Sequence, residues 1–255
     1  MKKIIVISSG KGGVGKTTTA INLGAAINKF GKDVVIIDAN LTTPNIGIHL
    51  NSPEVPVTLN HVLLNKAELF EAVYEHSSGL KVVPSSLSVK ELKRIRPEKI
   101  KEFRKDFHEL GDYIIMDSAA GLGDEATAVI EIADELIFVT NPELPALTDC
   151  LKAIKIAEEM NKRVRGIIVT RVKKNNFETE PSVVKEMLEM PILGMIPEDK
   201  FMQESLKIKD AIVHTHPKSK SARAYKEIAA KIIGVDYDSS ADAPGFWEKI
   251  FRRRY

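Results

Sequence analysis

The feature that most constrains this chain is a glycine-rich segment near its start. Residues 10–18 read G-K-G-G-V-G-K-T-T; they follow the apolar run 4–7 and precede a helix-like stretch that begins at Thr19. This order, a strand, a glycine loop and a helix start, matches the pattern G-x-x-x-x-G-K-[ST] in full and predicts a phosphate-binding loop. Glycines let successive backbone N–H groups curl around phosphate oxygens at the positive end of the helix.

The positions of this loop have different chemical roles in such a site. Lys16 is predicted to reach the β and γ phosphates of ATP, and the hydroxyl of Thr17 is predicted to hold Mg²⁺. A glycine turn that merely ends a strand, the alternative, would not require Lys and Thr at the helix start. The loop residues predicted to bind ATP or ADP are Gly10, Lys11, Gly12, Gly13, Val14, Gly15, Lys16, Thr17 and Thr18.

The second lysine of the segment, Lys11, is not required by an ordinary phosphate loop. The run K-G-G-V-G-K-T-T resembles the deviant Walker motif of the MinD/ParA/nitrogenase-iron-protein family, and the resemblance extends from residue 2 to about residue 233. It implies that Lys11 reaches across an interface to the partner's ATP, and therefore an ATP-dependent homodimer. The residues alone indicate only a second cation near concentrated phosphate charge, and a solvated lysine is the alternative.

Apolar, strand-like runs recur along the chain, with amphipathic helical stretches between most of them. They lie at residues 34–37, 80–83, 113–116, 136–140, 167–170 and 192–196. Alternating strands and helices predict an α/β fold, a mainly parallel sheet flanked by helices on both faces, which is the three-layer P-loop NTPase fold that the resemblance implies. Functional residues are then expected at the carboxyl ends of the strands.

Two of these predicted strands lead into an aspartate, Asp38 and Asp117. Four apolar residues before Asp117 form a Walker B pattern, so this carboxylate is predicted to hold Mg²⁺ or a water bound to it. The segment D-S-A-A-G-L-G resembles the family's switch II, in which the N–H of Gly121 would sense the γ-phosphate. Helix capping or exposure to solvent is the alternative for both aspartates.

Asp38 matches the first acid of the family's switch I, but Asn40 stands where most relatives have an aspartate implicated in hydrolysis. An amide can orient water through its carbonyl group but cannot take a proton. The resemblance therefore implies slow hydrolysis without an activator. The residues predicted to be catalytic are Lys11, Lys16, Asp38, Asn40 and Asp117.

The resemblance also implies that the loops after two later strands line the adenine and ribose. The residues assigned to this role are Thr170, Arg171, Pro197 and Asp199. For residues 197–199 a helix N-terminus without a ligand is the alternative. His214 and His216 invite a metal hypothesis, but without a third ligand nearby a loop with solvated imidazoles is favoured.

Composition limits the class of protein. The chain has 255 residues with 37 basic and 35 acidic side chains, so nothing global indicates a nucleic-acid partner. One cysteine, Cys150, excludes a disulfide framework and an intrachain cysteine metal cluster, as suits a reducing cytoplasm; it is interpreted as a packed helix residue. No run reaches the roughly 18 apolar residues of a spanning helix, and the first strand begins at once, without a signal peptide.

The last ten residues differ in character from the rest. A polar, flexible linker at residues 235–245 is predicted to separate the ATPase domain, residues 1–234, from an amphipathic helix at residues 246–255. Aromatic and basic side chains on one short helix are typical of a membrane anchor, and the tail is similar to the membrane-targeting tail of MinD-type proteins. Packing on its own domain, or binding nucleic acid, is the alternative. The predicted membrane residues are Phe246, Trp247, Lys249, Ile250, Phe251, Arg252 and Arg253.

Together these features predict a MinD-type ATPase that converts ATP to ADP and phosphate with Mg²⁺. ATP would hold two chains together, and two tails would bind an anionic membrane surface reversibly. The protein is expected in the cytoplasm, and on the inner face of the cell membrane when ATP is bound. It would position cell division or another machinery with an activator or cargo protein. A ParA-type ATPase that partitions DNA, or one that places flagella or other surface machinery, is the alternative.

Overall fold

The strands of the chain form one mostly parallel sheet in the computed structural model, which describes residues 2–51, 55–173, 179–239 and 242. The strands are β1 Lys3–Ser8, β2 Val34–Ala39, β3 Tyr74–Glu75, β4 Lys81–Val83, β5 Tyr113–Ser118, β6 Glu135–Thr140, β7 Val164–Val172 and β8 Ile192–Pro197. The order across the eight-stranded sheet is β3-β4-β2-β5-β1-β6-β7-β8, and only the β3–β4 pair is antiparallel within these residues. The predicted α/β architecture is confirmed.

The central strands form because their side chains are apolar on both faces. Residues 4–7 of β1 are completely buried, and β2 is buried along its whole length. A parallel sheet covered on both faces requires such continuous apolar runs, in contrast to the alternation of a half-exposed strand. All seven predicted strands are present. The additional strand, β3, has only two residues and no apolar run that could have indicated it.

Helices cover both faces of the sheet. They are α1 Lys16–Lys29, α2 Ile46–His49, α3 Leu59–Leu63, α4 Val89–Leu92, α5 Arg104–Glu109, α6 Asp124–Ile132, α7 Leu144–Glu159, α8 Pro181–Leu188, α9 Lys200–Ile208, α10 Ile212–Thr215 and α11 Lys220–Ile233, with 3-10 turns at Leu69–Ala72 and Pro97–Phe103. Apolar residues of α1, α10 and α11 pack with Ile5 and Ile7, whereas those of α6, α7 and α8 pack with Ile4 and Val6.

Cys150 lies on α7 and is completely buried. Burial raises the pKa of its thiol to about 12, so the thiol stays protonated at neutral pH. The interpretation of Cys150 as a packed helix residue is confirmed.

Beyond α11 the chain folds back onto its own domain. The ring of Tyr237 meets the ring of Phe30 edge to face, with 5.5 Å between centroids. The hydroxyl of Tyr237 donates to Asp242 at 2.6 Å, and Asp242 pairs with Lys226 of α11. These contacts involve the described part of the predicted linker at residues 235–245.

The predicted tail at residues 246–255 lies outside the described residues, and the predicted linker is described only in part. Within the described part of the chain, no helix combines the length and the apolar character needed to span a bilayer.

Candidate nucleotide site

The glycine-rich loop connects β1 to α1 and leaves the start of this helix open. Gly13 and Gly15 have φ angles of +78° and +95°, a backbone region that strains other residues. Gly15 precedes the first residue of α1, where no side chain caps the helix and no acidic residue lies in the first turn. Unpaired N–H groups and the positive end of a helix of 14 residues therefore face the loop, which suits a phosphate group.

Gly10 is required for a different reason. A Cβ atom at this position would lie 2.1 Å from the carbonyl oxygen of Asp149 and 2.7 Å from the backbone nitrogen of Cys150. Relieving contacts this short would require the backbone of α7 to move, which costs packing energy. Gly10 thus lets the loop pack closely against α7, in addition to its predicted role in phosphate binding.

Lys16 and Asp117 lie together at the base of the loop. Lys16 is only 8% exposed, and desolvation lowers its pKa while the Asp117 carboxylate opposes that shift. The Asp117 Oδ2 atom accepts a hydrogen bond of 2.5 Å from the Thr17 hydroxyl. A partly desolvated cation next to open N–H groups is suited to bind an anion.

The second carboxylate oxygen of Asp117, Oδ1, is buried and has no hydrogen-bond partner among the described residues. Burial raises the pKa of Asp117 to about 6, despite the opposing effects of Thr17 and Lys16. A buried acceptor without a partner is costly unless a ligand satisfies it. Hydroxyl and carboxylate oxygens are the donors that Mg²⁺ prefers, so Thr17 and Asp117 fit the predicted metal site.

Asp38 lies beside Asp117 on the neighbouring strand, in register with it. Its carboxylate is completely buried and accepts N–H groups of Asn40 at 3.3 Å, Asn45 at 2.8 Å and Ile46 at 2.9 Å. Desolvation first, and then repulsion from Asp117, raise the pKa of Asp38. Because Asn45 and Ile46 begin α2, Asp38 also performs the helix-capping role that the sequence left open.

Asn40 is buried, and its side chain closes a turn with Thr43. Its Oδ1 atom accepts from the Thr43 backbone N–H at 3.2 Å and from the Thr43 hydroxyl at 3.1 Å, and its Nδ2 atom donates to the Thr43 carbonyl at 2.8 Å. The amide that the sequence assigns to hydrolysis is therefore engaged within its own loop.

The remaining phosphate-side residues lie around the same loop. Gly121 has φ +81° and its N–H donates to the Ser9 carbonyl at 2.9 Å, so it must leave Ser9 to reach a γ-phosphate. Lys11 and Gly12 are exposed, and the Lys11 carbonyl accepts from the Ser9 hydroxyl at 2.8 Å. An exposed Lys11 side chain is able to reach outward from the loop, as the dimer prediction requires.

A cleft of about 670 Å³ adjoins the phosphate loop and is lined by all four residues predicted to bind the base, Thr170, Arg171, Pro197 and Asp199. Val14, Gly15 and Thr18 of the loop line it as well. Sequence reasoning missed other lining residues, although Asn141 stands directly after β6, at a strand end. Those missed are Asn141, Pro142, Glu143, Lys173, Ile196, Glu198, Met202, Gln203, Leu206 and Tyr225.

Two of these predicted base-binding residues, Thr170 and Asp199, also form hydrogen bonds to other parts of the fold. Asp199 caps α9 through Phe201 N–H at 3.1 Å and accepts from Ser221 N–H at 3.2 Å. The Thr170 hydroxyl has one proton, and its shortest acceptor contact is the Val14 carbonyl at 2.6 Å. Arg171 is exposed and has a φ angle of +56°. Thr170 thus connects the phosphate loop to the end of β7.

The two histidines do not share a ligand. His214 pairs with Asp210 at 2.9 Å, and His216 pairs with Glu204 at 3.3 Å while its ring stacks on Phe201. Over the described ranges no cluster of three His, Cys, Asp or Glu side chains could hold a metal ion. The sequence favoured a loop with solvated imidazoles, whereas His214 lies in helix α10, and the exposed fraction of the side chain is only 13% for His214 and 19% for His216.

The comparisons with known proteins agree with this geometry. The ParA family model, described as NUBPL iron-transfer P-loop NTPase, matches residues 1–233. The chain belongs to the ParA/MinD family of P-loop NTPases. The family predicted from the two lysines of the phosphate loop is thereby confirmed.

Individual relatives cover nearly the whole chain. The ATP-binding protein MJ0547 of Methanocaldococcus jannaschii is 39% identical over 92% of this chain and 89% of its own length. The septum site-determining protein MinD of Pyrococcus horikoshii, solved with Mg-ADP, has a TM-score of 0.87 at 30% identity and covers 96% of this chain and 100% of its own. MinD in the MinC:MinD complex of Aquifex aeolicus has a TM-score of 0.80 at 28% identity, with 92% and 98% coverage.

Family membership also confirms the predicted cofactors, ATP or ADP with Mg²⁺, because P-loop NTPases bind a nucleotide together with this ion. The assignments to individual residues stay predictions. They agree with the open helix start, with the Asp117 oxygen that has no partner in the described part of the chain, and with the cleft beside the loop.

Proposed function

We propose that this protein is a MinD-type ATPase that hydrolyses ATP, dimerises when ATP is bound and holds a membrane surface reversibly through residues 246–255. Bound in this way, it positions cell division or another surface machinery with the help of an activator or cargo protein. The observation that carries the proposal is the phosphate loop, in which Lys16 is buried beside Asp117 while Lys11 is exposed.

In this proposal each group has a defined task. Lys16 and the open N–H groups of α1 bind the phosphates, and Thr17 with Asp117 would hold Mg²⁺, which spreads the charge that develops in phosphoryl transfer. Asn40 orients the attacking water once its turn with Thr43 opens. Because an amide only orients water, turnover of the isolated protein is slow, and Asn40→Asp speeds it.

The dimer follows from the exposed Lys11, which reaches the phosphates of a second chain. Lys11→Ala should therefore retain ATP binding but lose the ATP-dependent dimer, measured by light scattering. Lys29→Ala is the matched control, since Lys29 is an exposed lysine at the far end of α1. An ATP dimer of normal size in Lys11→Ala would remove this part of the proposal.

The membrane role is supported by the aromatic and basic side chains of the tail. Interfacial helices of this kind bind with aromatic rings at the headgroup level and cations against anionic lipid. Each cation near the surface contributes about 1 kcal/mol, so one short helix binds weakly and two on a dimer bind much better. ATP would in this way control how long the protein stays on the membrane.

The experiment is co-sedimentation of the full chain with anionic vesicles in ATP, in ADP and without nucleotide. We expect binding mainly with ATP, and loss of vesicle binding but not of ATP binding when residues 246–255 are removed. Trp247 is the only tryptophan, so its emission should shift to the blue when vesicles and ATP are both present. A response to duplex DNA that falls with salt, without any response to lipid, would replace the membrane role by ParA-type partition.

The description of the matching family model names an iron-transfer protein, which is a different activity. Iron–sulfur carriage by a single chain requires several cysteine ligands, whereas this chain has one cysteine, which is buried. The composition therefore supports a membrane-binding ATPase rather than a carrier of iron–sulfur clusters.

A further inference from the structure

Residues 40–46, named here switch I, are attached to β2 through Asp38 and are held in shape by a turn of their own. The carboxylate of Asp38 accepts three backbone N–H groups of this segment, and Asn40 closes its turn with Thr43 through three hydrogen bonds. These hydrogen bonds give the segment a defined conformation.

A second attachment to the domain comes from a distant part of the chain. Glu125, in the first turn of α6, accepts the backbone N–H of Thr42 at 3.1 Å through Oε1 and the hydroxyl of Thr42 at 2.5 Å through Oε2. Each carboxylate oxygen therefore binds one donor of the same residue. We name this pair of hydrogen bonds the Thr42–Glu125 clasp.

The clasp connects the two segments that flank the phosphate loop. Thr42 lies at the exposed tip of switch I, and α6 begins three residues after Gly121, whose N–H is bound to Ser9 next to the phosphate loop. Hydrogen bonds to a charged carboxylate are stronger than neutral ones, but exposed pairs compete with water. The clasp is therefore strong enough to shift a loop equilibrium and weak enough to open.

The turn between Asn40 and Thr43 determines whether the side chain of Asn40 can accept a hydrogen bond from water. A carbonyl oxygen has two lone pairs, and both on Asn40 Oδ1 are engaged by Thr43. A water molecule can be accepted there only after the turn opens. Because Thr42 lies inside this turn, fixing its backbone N–H and side chain to α6 opposes the opening.

We propose that Glu125 is a positioning residue: through Thr42 it keeps the Asn40 turn closed, and opening of the clasp limits ATP turnover. The part about turnover rests on the proposed ATPase function. The part about the loop concerns the nucleotide-free protein alone.

The test uses the full chain with three variants and one control. Glu125→Ala and Thr42→Val weaken the clasp, and Thr42→Ser retains both donors. Asp124→Asn is the control, because it removes a negative charge from the same helix turn and Asp124 has no hydrogen-bond or ion-pair partner within the described residues.

The first measurement is amide hydrogen exchange of the nucleotide-free protein, resolved at Thr42 and Thr43. We expect Glu125→Ala to speed exchange at Thr42 about fivefold, while Asp124→Asn and Thr42→Ser remain close to the parent chain. An unchanged exchange rate at Thr42 in Glu125→Ala would show that Glu125 does not hold Thr42.

The second measurement is ATP turnover at saturating Mg-ATP. We expect kcat to rise about threefold to fivefold in Glu125→Ala, less in Thr42→Val and not in Thr42→Ser, with little change in KM. Faster exchange with an unchanged or lower kcat would overturn the gating role. Should the parent chain bind Mg-ATP and never hydrolyse it, the proposed function fails, and the clasp is then judged by exchange alone.

Discussion

The phosphate end and the base end of the site are built differently. At the phosphate end, between β1, β2 and β5, several groups are left with unsatisfied capacity: open N–H groups at α1 and a buried oxygen of Asp117 without a partner among the described residues. At the base end, between β7 and β8, Thr170 and Asp199 already have partners within the fold. Spare hydrogen-bonding capacity in a folded protein therefore marks the place where a ligand completes the structure.

This difference determines what mutations should do. At the phosphate end a side chain acts on the ligand, and its loss removes binding or chemistry. At the base end a side chain mostly holds the backbone that shapes the cleft, and its loss first lowers the stability of the fold. Four predictions test this contrast, in order of decreasing effect.

The largest effect is expected at Lys16. Lys16→Ala removes the only cation of the described residues that is buried beside Asp117, and it should lower ATP turnover by about 10² to 10³, as loss of a preorganised charge-stabilising group does. Phosphate release measures it, with Lys29→Ala as the control. Ordinary turnover in Lys16→Ala would show that the phosphate end is not the catalytic end.

Asp117 should have a large effect on stability, in the opposite direction. Its pKa is raised from 3.8 to about 6 in the folded protein, so protonation stabilises the fold below the unfolded value, and this stabilisation is lost as the pH rises from about 4 to 6. Asp117→Asn avoids this loss. It should make the nucleotide-free protein more stable by about 3 kcal/mol at pH 7, corresponding to about two pKa units.

The measurement is urea unfolding of both proteins between about pH 4 and 8. Their difference in free energy of unfolding should grow as the pH rises from about 4 to 6. Asp117→Asn should also weaken Mg-ATP binding. A variant less stable than the parent chain at neutral pH would mean that Asp117 is not a strained, ligand-ready group.

At the base end, Thr170→Val should mainly destabilise the fold. The change keeps the shape but leaves the carbonyl of Val14 without its donor, which costs about 1–3 kcal/mol for a buried group. Thr170→Ser retains the hydroxyl and should lose much less. A variant of unchanged stability but abolished ADP binding would contradict the contrast, because Thr170 would then act on the ligand.

The smallest effect is expected at Arg171, which lines the cleft with a φ angle of +56°. Arg171→Gly relieves the strain of this conformation but adds freedom to the unfolded chain, so the free energy of unfolding should change by less than about 1 kcal/mol. Calorimetric titration with ADP should show a loss of about threefold or less in affinity, since exposed polar contacts contribute little. A much larger loss would make Arg171 a true base-binding residue.

Much of the fold could be predicted because its signals are local. Each of the seven predicted strands is a run of consecutive apolar residues, so a short stretch of sequence is enough to recognise it. The segment G-K-G-G-V-G-K-T-T likewise contains its own turn, helix start and charges. The short β3 could not be predicted, because two residues that pair only at the sheet edge have no pattern.

The candidate site was predicted to the extent that it depends on residue types at strand ends. Asp38 and Asp117 were named from their positions after apolar runs, and Thr17 from its place in the phosphate-loop pattern. Asn40 and Thr43 are only three residues apart in the chain, but the sequence does not show which of several possible groups the Asn40 amide hydrogen-bonds.

By itself, the sequence determined the family, the order of strands and helices, and the chemistry of the phosphate loop. Only the tertiary structure decided that Gly10 must pack against α7, that Thr170 holds Val14 and that Glu125 reaches Thr42. These partners are many residues apart along the chain. Periodicity, turn chemistry and capping act over a few residues, whereas contacts between distant side chains are set by how the helices pack on the sheet, and no local pattern records that packing.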